Sequence, residues 1–156
     1  MILKITKPYL WFPVLETAEE KKLHFYIEEK KVQEIDIHLG NEKFDFYTFW
    51  DVRDYLGKEM EICGADQEAL QYIFGCEEIP QNIYPFRPKL HFAPERGWHN
   101  DPNGMVYADG VYHLYFQWNP YGTVWGNMHW GHAKSRDLYH WEWEGMALAP
   151  NENGTM

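Results

Sequence analysis

The chain has 156 residues, of which 45% are hydrophobic and 18% aromatic, enough apolar surface for one ordinary domain or two small ones. This content excludes a disordered chain, which lacks the apolar surface that offsets the entropy of ordering. With 14 basic and 24 acidic residues the formal net charge is -10. Such a charge would repel nucleic acid and anionic membranes, so the expected ligand is neutral or small.

The N-terminus has no apolar run of signal-peptide length, and no apolar segment of the roughly 18 residues needed for a transmembrane helix occurs. As written, the sequence therefore predicts a soluble, cytoplasmic protein. Cys63 and Cys76 are too few for a disulfide framework and lack the paired spacing of a zinc ribbon. Both cysteines are expected to be free.

The first half of the chain predicts short strands separated by charged turns. The predicted strands are Leu23–Ile27, Val32–Leu39, Phe44–Phe49 and Met60–Ile62. Turn-forming segments at Glu28–Lys31 and Gly40–Lys43 separate them, and one helix is predicted over Gln67–Phe74. This pattern favours a small antiparallel β-sandwich whose acidic residues lie on solvated outer faces.

A change of composition predicts a domain boundary near Pro85. Residues 1–85 hold 9 basic and 17 acidic residues, a net charge of -8, whereas residues 86–156 hold 5 and 7, a net charge of -2. Six of the 8 Trp and six of the 8 His fall in the second half. Between the halves, three prolines in Ile79–Pro88 favour extended backbone, as in a linker. The expected domains are residues 1–85 and 86–156.

The second half again predicts strands, at Gly104–Tyr107, Val111–Gln117, Met128–Ser135 and Trp141–Glu144. Asp109-Gly110 predicts a two-residue hairpin turn, because glycine readily adopts the positive φ that such turns require. Four antiparallel strands at this spacing match one blade of a β-propeller. A lone blade leaves its faces bare, so we expect exposed apolar surface that more chain, a partner or self-association would cover.

The segment from Asn100 to Gly104 carries the candidate chemistry. Asp101 lies between Asn100 and Pro102 in a turn-forming cluster just ahead of a predicted strand, which would display its carboxylate on a rigid rim. A carboxylate presented in this way can act as a nucleophile or stabilise positive charge on a sugar ring. The same residues would also make an ordinary turn, so the residues alone leave both readings open.

The surrounding motifs resemble one enzyme family. From Arg87 the sequence reads RPKLHFAPERGWHNDPNG, followed by YHLYFQWNP at Tyr112–Pro120 and WGNMHWGHA at Trp125–Ala133. Over about Arg87–Pro150 this is similar to glycoside hydrolase family 32, which includes invertases, levanases and inulinases. Residues 1–85 resemble, more loosely, the extra N-terminal β domain of some bacterial levanase-like members.

The resemblance implies an all-β fold: an N-terminal antiparallel β-sandwich followed by the first blade of a five-bladed β-propeller. It implies retaining hydrolysis of terminal β-D-fructofuranosides such as sucrose, levan or inulin, with no cofactor. Asp101 matches the family nucleophile. Asn100 and Gln117 match residues that bind fructose hydroxyls, and Trp98 and Trp125 match aromatic residues of the same pocket. His99 stands where the family often has Met or Leu, which predicts a more polar pocket edge.

Two further family motifs are absent from the sequence. The family's acid/base Glu lies in a Glu-Cys motif and a sugar-binding Asp in an Arg-Asp-Pro motif, but here Ile62 and Gly75 precede the cysteines and Leu138 follows Arg136-Asp137. Gly154-Thr155-Met156 resembles the start of a second blade. The chain is therefore expected to be a truncated fragment without meaningful hydrolysis, since losing general acid catalysis costs on the order of 100- to 10,000-fold.

Two alternatives follow from the histidines and aromatic residues of the second half. Six histidines lie there, but His129 and His132 are three apart, which on a strand places them on opposite faces, so no metal site is predicted. A second alternative is a non-catalytic carbohydrate-binding module that uses some of a set of aromatic side chains. That set comprises Trp98, Trp118, Tyr121, Trp125 and Trp130.

Overall fold

The computed structural model describes residues 1–81 and 87–150. The chain divides into two compact units, Met1–Ile83 and Tyr84–Met156. The predicted boundary at Pro85 and the terminal Gly154-Thr155-Met156 lie outside the described residues. Across the described ranges, no helix combines the length and the apolar character needed to cross a bilayer.

The first unit is built from seven strands in two antiparallel sheets. The strands are β1 (Ile2–Lys4), β2 (Tyr9–Val14), β3 (Lys21–Ile27), β4 (Lys30–Ile37), β5 (Phe46–Asp51), β6 (Glu59–Cys63) and β7 (Phe74–Cys76), with a 3₁₀ turn at Arg53–Tyr55 and a short helix α1 at Gln67–Leu70. One sheet has the order β1-β6-β3-β4 and the other the order β5-β2-β7. The prediction of an all-β fold is confirmed.

The inward faces of these two sheets form the core of the first unit. Leu10, Phe12 and Val14 alternate along β2 and are buried, as the period of a half-buried strand requires. The Phe12 ring meets the Phe25 ring of the other sheet edge-on at 5.9 Å, and Phe25 lies 5.3 Å from Trp50. Burying each such side chain stabilises the fold by roughly 1.5–3 kcal/mol, so the two sheets are held face to face.

The structure differs from the sequence prediction at both ends of the first unit. Strands β1, β2 and β7 were not predicted. The predicted helix over Gln67–Phe74 ends at Leu70, because Phe74 instead pairs with Trp11 of β2. The turn at Glu28-Glu29 is present, and both residues have positive φ, 51° and 66°, between the paired ends of β3 and β4.

The second unit is one open antiparallel sheet of four strands. They are β8 (Trp98–Ala108), β9 (Val111–Asn119), β10 (His129–Ser135) and β11 (Trp141–Leu148), in the order β11-β10-β9-β8. Asp109 and Gly110 have φ of 50° and 80° between the paired residues Ala108 and Val111. The predicted two-residue hairpin is therefore confirmed.

One face of this sheet carries the core of the second unit. Leu114, Phe116 and Trp118 of β9 are buried there, and three partly buried aromatic side chains pack against them: Phe92, Trp141 and Trp143. Elsewhere β8 and β11 leave apolar side chains exposed, namely Met105, Val106, Tyr107, Met146 and Leu148. The expected exposed apolar surface of a single blade is thus present.

Candidate active site

Asp101 lies within a strand and not in a turn ahead of one, which corrects the sequence prediction. Strand β8 begins at Trp98, because Trp98 and His99 pair with Asn119 and Trp118 of β9. The register then shifts between His99 and Pro102 and again between Pro102 and Gly104. Such bulges are favoured at a sheet edge, where a proline without an N–H is tolerated. They leave Asp101 exposed at the edge of the sheet.

Asn100 and Gln117 are brought together across β8 and β9. The Asn100 side-chain Nδ2 donates a hydrogen bond to Gln117 Oε1 at 3.0 Å, and both side chains are half-buried. Asn100 directly precedes Asp101 in the bulged part of β8. The two bonded amide side chains and, next to Asn100 in sequence, an exposed carboxylate supply polar groups of the kind that bind hydroxyl-bearing ligands.

The loop that carries Trp125 is held by Asn119, a residue that the sequence analysis did not single out. Asn119 is buried, and its Nδ2 donates to the backbone oxygen of Val124 at 2.9 Å. Its Oδ1 accepts from the backbone N–H of Tyr121 at 3.0 Å and from Asn127 Nδ2 at 3.2 Å. Trp125 itself is 69% exposed. The exposed Trp125 is thus attached to a short, internally bonded loop.

The segment before Trp98 is fixed against the end of β9. Trp118 Nε1 donates to the Arg96 backbone oxygen at 2.8 Å, and Arg96 Nε donates to the Pro120 oxygen at 3.1 Å. Gly97 has a φ of 74°, and a Cβ at this position would lie 2.1 Å from the Asn119 carbonyl oxygen. Only glycine fits this approach, so the start of β8 is set by backbone contact.

His99 lies on the core side of the sheet. Its ring is 4.4 Å from Phe116 and 5.8 Å from Phe92, and burial lowers the pKa of His99. Gln117 follows Phe116 along β9 and therefore points to the other face. His99 therefore lies on the face opposite Gln117, and the expectation of a more polar pocket edge stays a prediction.

The histidines of β10 lie on opposite faces, as predicted. His129 is buried beside Tyr121, whereas His132 stacks on Tyr115 at 4.3 Å. His132 Nε2 also lies 2.9 Å from His113 Nδ1. Within residues 1–81 and 87–150, no group of three or more His, Cys, Asp and Glu side chains is arranged to hold a metal ion.

The burial of His129 predicts that acid destabilises the second unit. Burial lowers the pKa of His129 to about 4, below the ordinary value of 6.5, although Nδ1 contacts the Asn127 carbonyl oxygen. Above pH 6.5 the side chain is neutral in both the folded and the unfolded state. Between pH 6.5 and 4 only the unfolded state binds the proton. The free energy of unfolding therefore decreases as the pH is lowered through this window. At pH 4.5 the loss is about 2–3 kcal/mol.

Urea unfolding at pH 7.5 and 4.5 measures this loss. His129→Asn keeps a donor toward Asn127 but does not titrate, so we expect its stability to change less between the two pH values. His140→Asn is the matched control: His140 is exposed beside Asp137, whose carboxylate raises the pKa of His140, so removing it cannot reduce the acid loss. An unchanged pH dependence in His129→Asn would contradict this account.

Two of the five aromatic residues named for a carbohydrate-binding module are buried. Trp118 and Tyr121 are only 3% and 1% exposed, because both pack in the interior of the second unit. Trp98 and Trp130 are half-buried, and Trp125 projects into solvent. Of the five, Trp125 is therefore the ring most open to a ligand.

Residues 91–156 match the model of the glycosyl hydrolases family 32 N-terminal domain. The open four-stranded sheet of the second unit fits one blade of the β-propeller formed by that domain. The levanase of Bacillus subtilis (strain 168) is 59% identical over 89 residues, which are 56% of the chain and 13% of the levanase.

Two other relatives show a similar pattern of coverage. The sucrose-6-phosphate hydrolase of Zymomonas mobilis is 56% identical over 66 residues, 42% of the chain and 13% of the hydrolase. The crystal structure of exo-inulinase from Aspergillus awamori aligns with a TM-score of 0.43 at 51% identity, over 47% of the chain and 14% of the inulinase. The chain thus spans about one eighth of the length of the curated relatives it matches.

Proposed function

We propose that the chain is part of a retaining glycoside hydrolase that cleaves terminal β-D-fructofuranosides, such as those of sucrose, levan or inulin. The observation that carries this proposal is the family match over the segment that holds Asp101, next to the bonded pair Asn100 and Gln117. The relatives named levanase, exo-inulinase and sucrose-6-phosphate hydrolase support the substrate class.

In this proposal Asp101 is the nucleophile. Its carboxylate oxygen attacks the anomeric carbon of the fructosyl unit, the glycosidic C–O bond breaks, and water later hydrolyses the covalent intermediate. The exposed position of Asp101 on the bulged edge strand leaves room for a sugar to approach. The departing oxygen needs a proton, which a nucleophile cannot supply.

The neighbouring side chains would bind the sugar. The hydrogen bond between Asn100 and Gln117 uses the Asn100 NH₂ group as donor and the Gln117 Oε1 as acceptor. The Asn100 Oδ1 and the Gln117 NH₂ group would then be able to bind fructose hydroxyls. Trp125 and Trp98 would line the pocket with their rings. An apolar wall with a few placed polar groups is the usual composition of a small-molecule site.

Retaining hydrolysis also requires a second carboxyl group, about 5–5.5 Å from the first, to protonate the leaving oxygen. The Glu-Cys motif that would carry it does not occur in this sequence. We therefore expect no fructose release from sucrose, inulin or levan by the purified 156-residue chain. Release at rates typical of enzymes would contradict the assignment of roles.

A chimaera tests the proposed function directly. The matching segment of the Bacillus subtilis levanase is replaced by that of this chain, which supplies Asp101 while the levanase supplies the remaining residues. We expect the chimaera to release fructose from levan. A chimaera that folds, as judged by circular dichroism, yet neither binds nor cleaves levan would overturn the proposal.

The second candidate is a non-catalytic carbohydrate-binding module, which the exposure of Trp125 favours. In that case the chain would bind fructan by calorimetry, and Trp125→Ala would remove the binding. The levanase chimaera would then bind levan without hydrolysing it. The two candidates therefore differ in turnover and not in ligand.

A further inference from the structure

The outward face of the β5-β2-β7 sheet in the first unit is covered with aromatic rings. β2 is the middle strand; its residues Leu10 and Phe12 point into the core, so Tyr9 and Trp11 point outward. Trp11 pairs with Phe49 on one side and Phe74 on the other. The outer aromatic face consists of Tyr9, Trp11, Phe44, Tyr47, Phe49 and Phe74.

The rings on this face lie side by side. The Trp11 ring centroid is 5.2 Å from that of Tyr47 and 5.7 Å from that of Phe74, and Tyr47 is 4.3 Å from Phe44. Trp11 Nε1 donates to the Glu78 backbone oxygen at 2.7 Å, which fixes the indole. Phe44 and Phe74 remain 41% and 40% exposed. The array is thus ordered before any ligand arrives.

Core packing does not account for these rings. The sandwich interior is already filled from the opposite sides of the same strands, for example by Phe12, Phe25 and Trp50. The solvent face of an antiparallel sheet is ordinarily polar. A contiguous and partly exposed aromatic patch of this kind indicates a binding surface. Tyr and Trp rings, which are apolar with one polar atom, suit a ligand that has both apolar and polar surface.

The charge of the first unit distinguishes between anionic and uncharged ligands of this face. Residues 1–83 hold 9 basic and 17 acidic residues, yet the charged side chains beside Tyr9 and Phe74 are paired. Asp51 binds Arg53, and Lys7 Nζ lies 2.5 Å from Glu77 Oε1. The face therefore lies within an acidic unit, and two of its acidic neighbours are paired. It would repel an anionic polymer or a second copy of this chain, with its net charge of -10, but not an uncharged polymer.

We propose that the outer aromatic face binds an uncharged polysaccharide, whose sugar rings stack on Trp11, Tyr47 and Phe74. This inference goes beyond the proposed function, since the surface lies on the other unit and needs neither Asp101 nor hydrolysis. Two binding surfaces on one chain would raise its residence on a polymer through effective concentration.

Native gel electrophoresis of the full chain through gels containing levan, inulin or soluble starch tests this proposal. We expect at least one of these neutral polysaccharides to retard the chain. The double variant Phe44→Ala/Phe74→Ala, which removes two exposed rings, should weaken retardation about tenfold or more. Trp11→Ala should do the same, whereas Trp11→Phe, which keeps a ring, should retain most of it.

Three controls separate this surface from others. Leu56→Ala removes an exposed apolar side chain of the same unit outside the sheets and should leave retardation unchanged. Leu90→Ala, which removes an exposed apolar side chain of the second unit, should also leave it unchanged, and thermal unfolding should show the double variant folded. Retardation by starch alone would support the surface while counting against fructan as its ligand. No retardation by any of the three, or its loss in Trp125→Ala with full retention in the double variant, would overturn the proposal.

Discussion

Asp101→Asn should abolish fructose release by the levanase chimaera, lowering kcat/KM on the order of a thousandfold or more. The amide keeps the size and most of the hydrogen-bonding capacity of the side chain, but it cannot form the covalent bond to the anomeric carbon. Because Asp101 is exposed on the bulge of β8, the substitution removes no buried contact. Binding of levan to the variant should persist, and the loss should fall on kcat.

Asp109→Asn is the matched control for this experiment. Asp109 is a second exposed Asp of the same hairpin, and its φ of 50° suits asparagine, so the substitution should leave both folding and turnover unchanged. If Asp101→Asn retained more than about a tenth of the activity while Asp109→Asn retained all of it, Asp101 would not be the nucleophile.

Asn119→Ala should destabilise the second unit by about 2–4 kcal/mol. The substitution removes three hydrogen bonds and leaves the buried N–H of Tyr121 and the oxygen of Val124 without that partner. The loop that presents Trp125 should then open. We expect faster cleavage within residues 120–127 by limited proteolysis, together with a lower midpoint in urea.

Asn103→Ala provides the control, since Asn103 is exposed on β8 and the same chemical change should cost well under 1 kcal/mol there. In the chimaera, Asn119→Ala should also raise KM, because Trp125 would no longer be held toward the sugar. Equal proteolysis of Asn119→Ala and the unsubstituted chain would show that Asn119 does not organise this loop.

The sequence predicted which residues form the candidate site better than it predicted the backbone conformation that holds them. Asn100 and Gln117 were named from motifs, and the structure brings their amides to 3.0 Å. The bulges around Asp101 were missed because Asn-Asp-Pro-Asn-Gly has the local preferences of a turn, and only pairing of Trp98 with Asn119 draws it into a strand. The role of Asn119 depends on burial and on loop contacts, which no local pattern reveals.

In the fold, too, the elements with local sequence signals were predicted and those that depend on tertiary pairing were missed. Alternating strands and the Asp109-Gly110 turn are local signals: the turn is where it was predicted, and each predicted strand overlaps an observed strand with different bounds. Strand β2 was missed because Pro13 interrupts a run that otherwise reads as a strand, and β7 has three residues whose only support is its pairing with β2. Both elements are fixed by neighbours that are distant in sequence.

The irregular edge strand β8 also affects whether the sheet can pair with a strand of another molecule. Pro102 offers no N–H, and the register shifts on either side of it break the row of outward-pointing backbone groups. After these shifts, the register of β8 is regular over Gly104–Ala108. We therefore expect the irregularity around Asp101 to disfavour pairing with another strand at that end of the sheet.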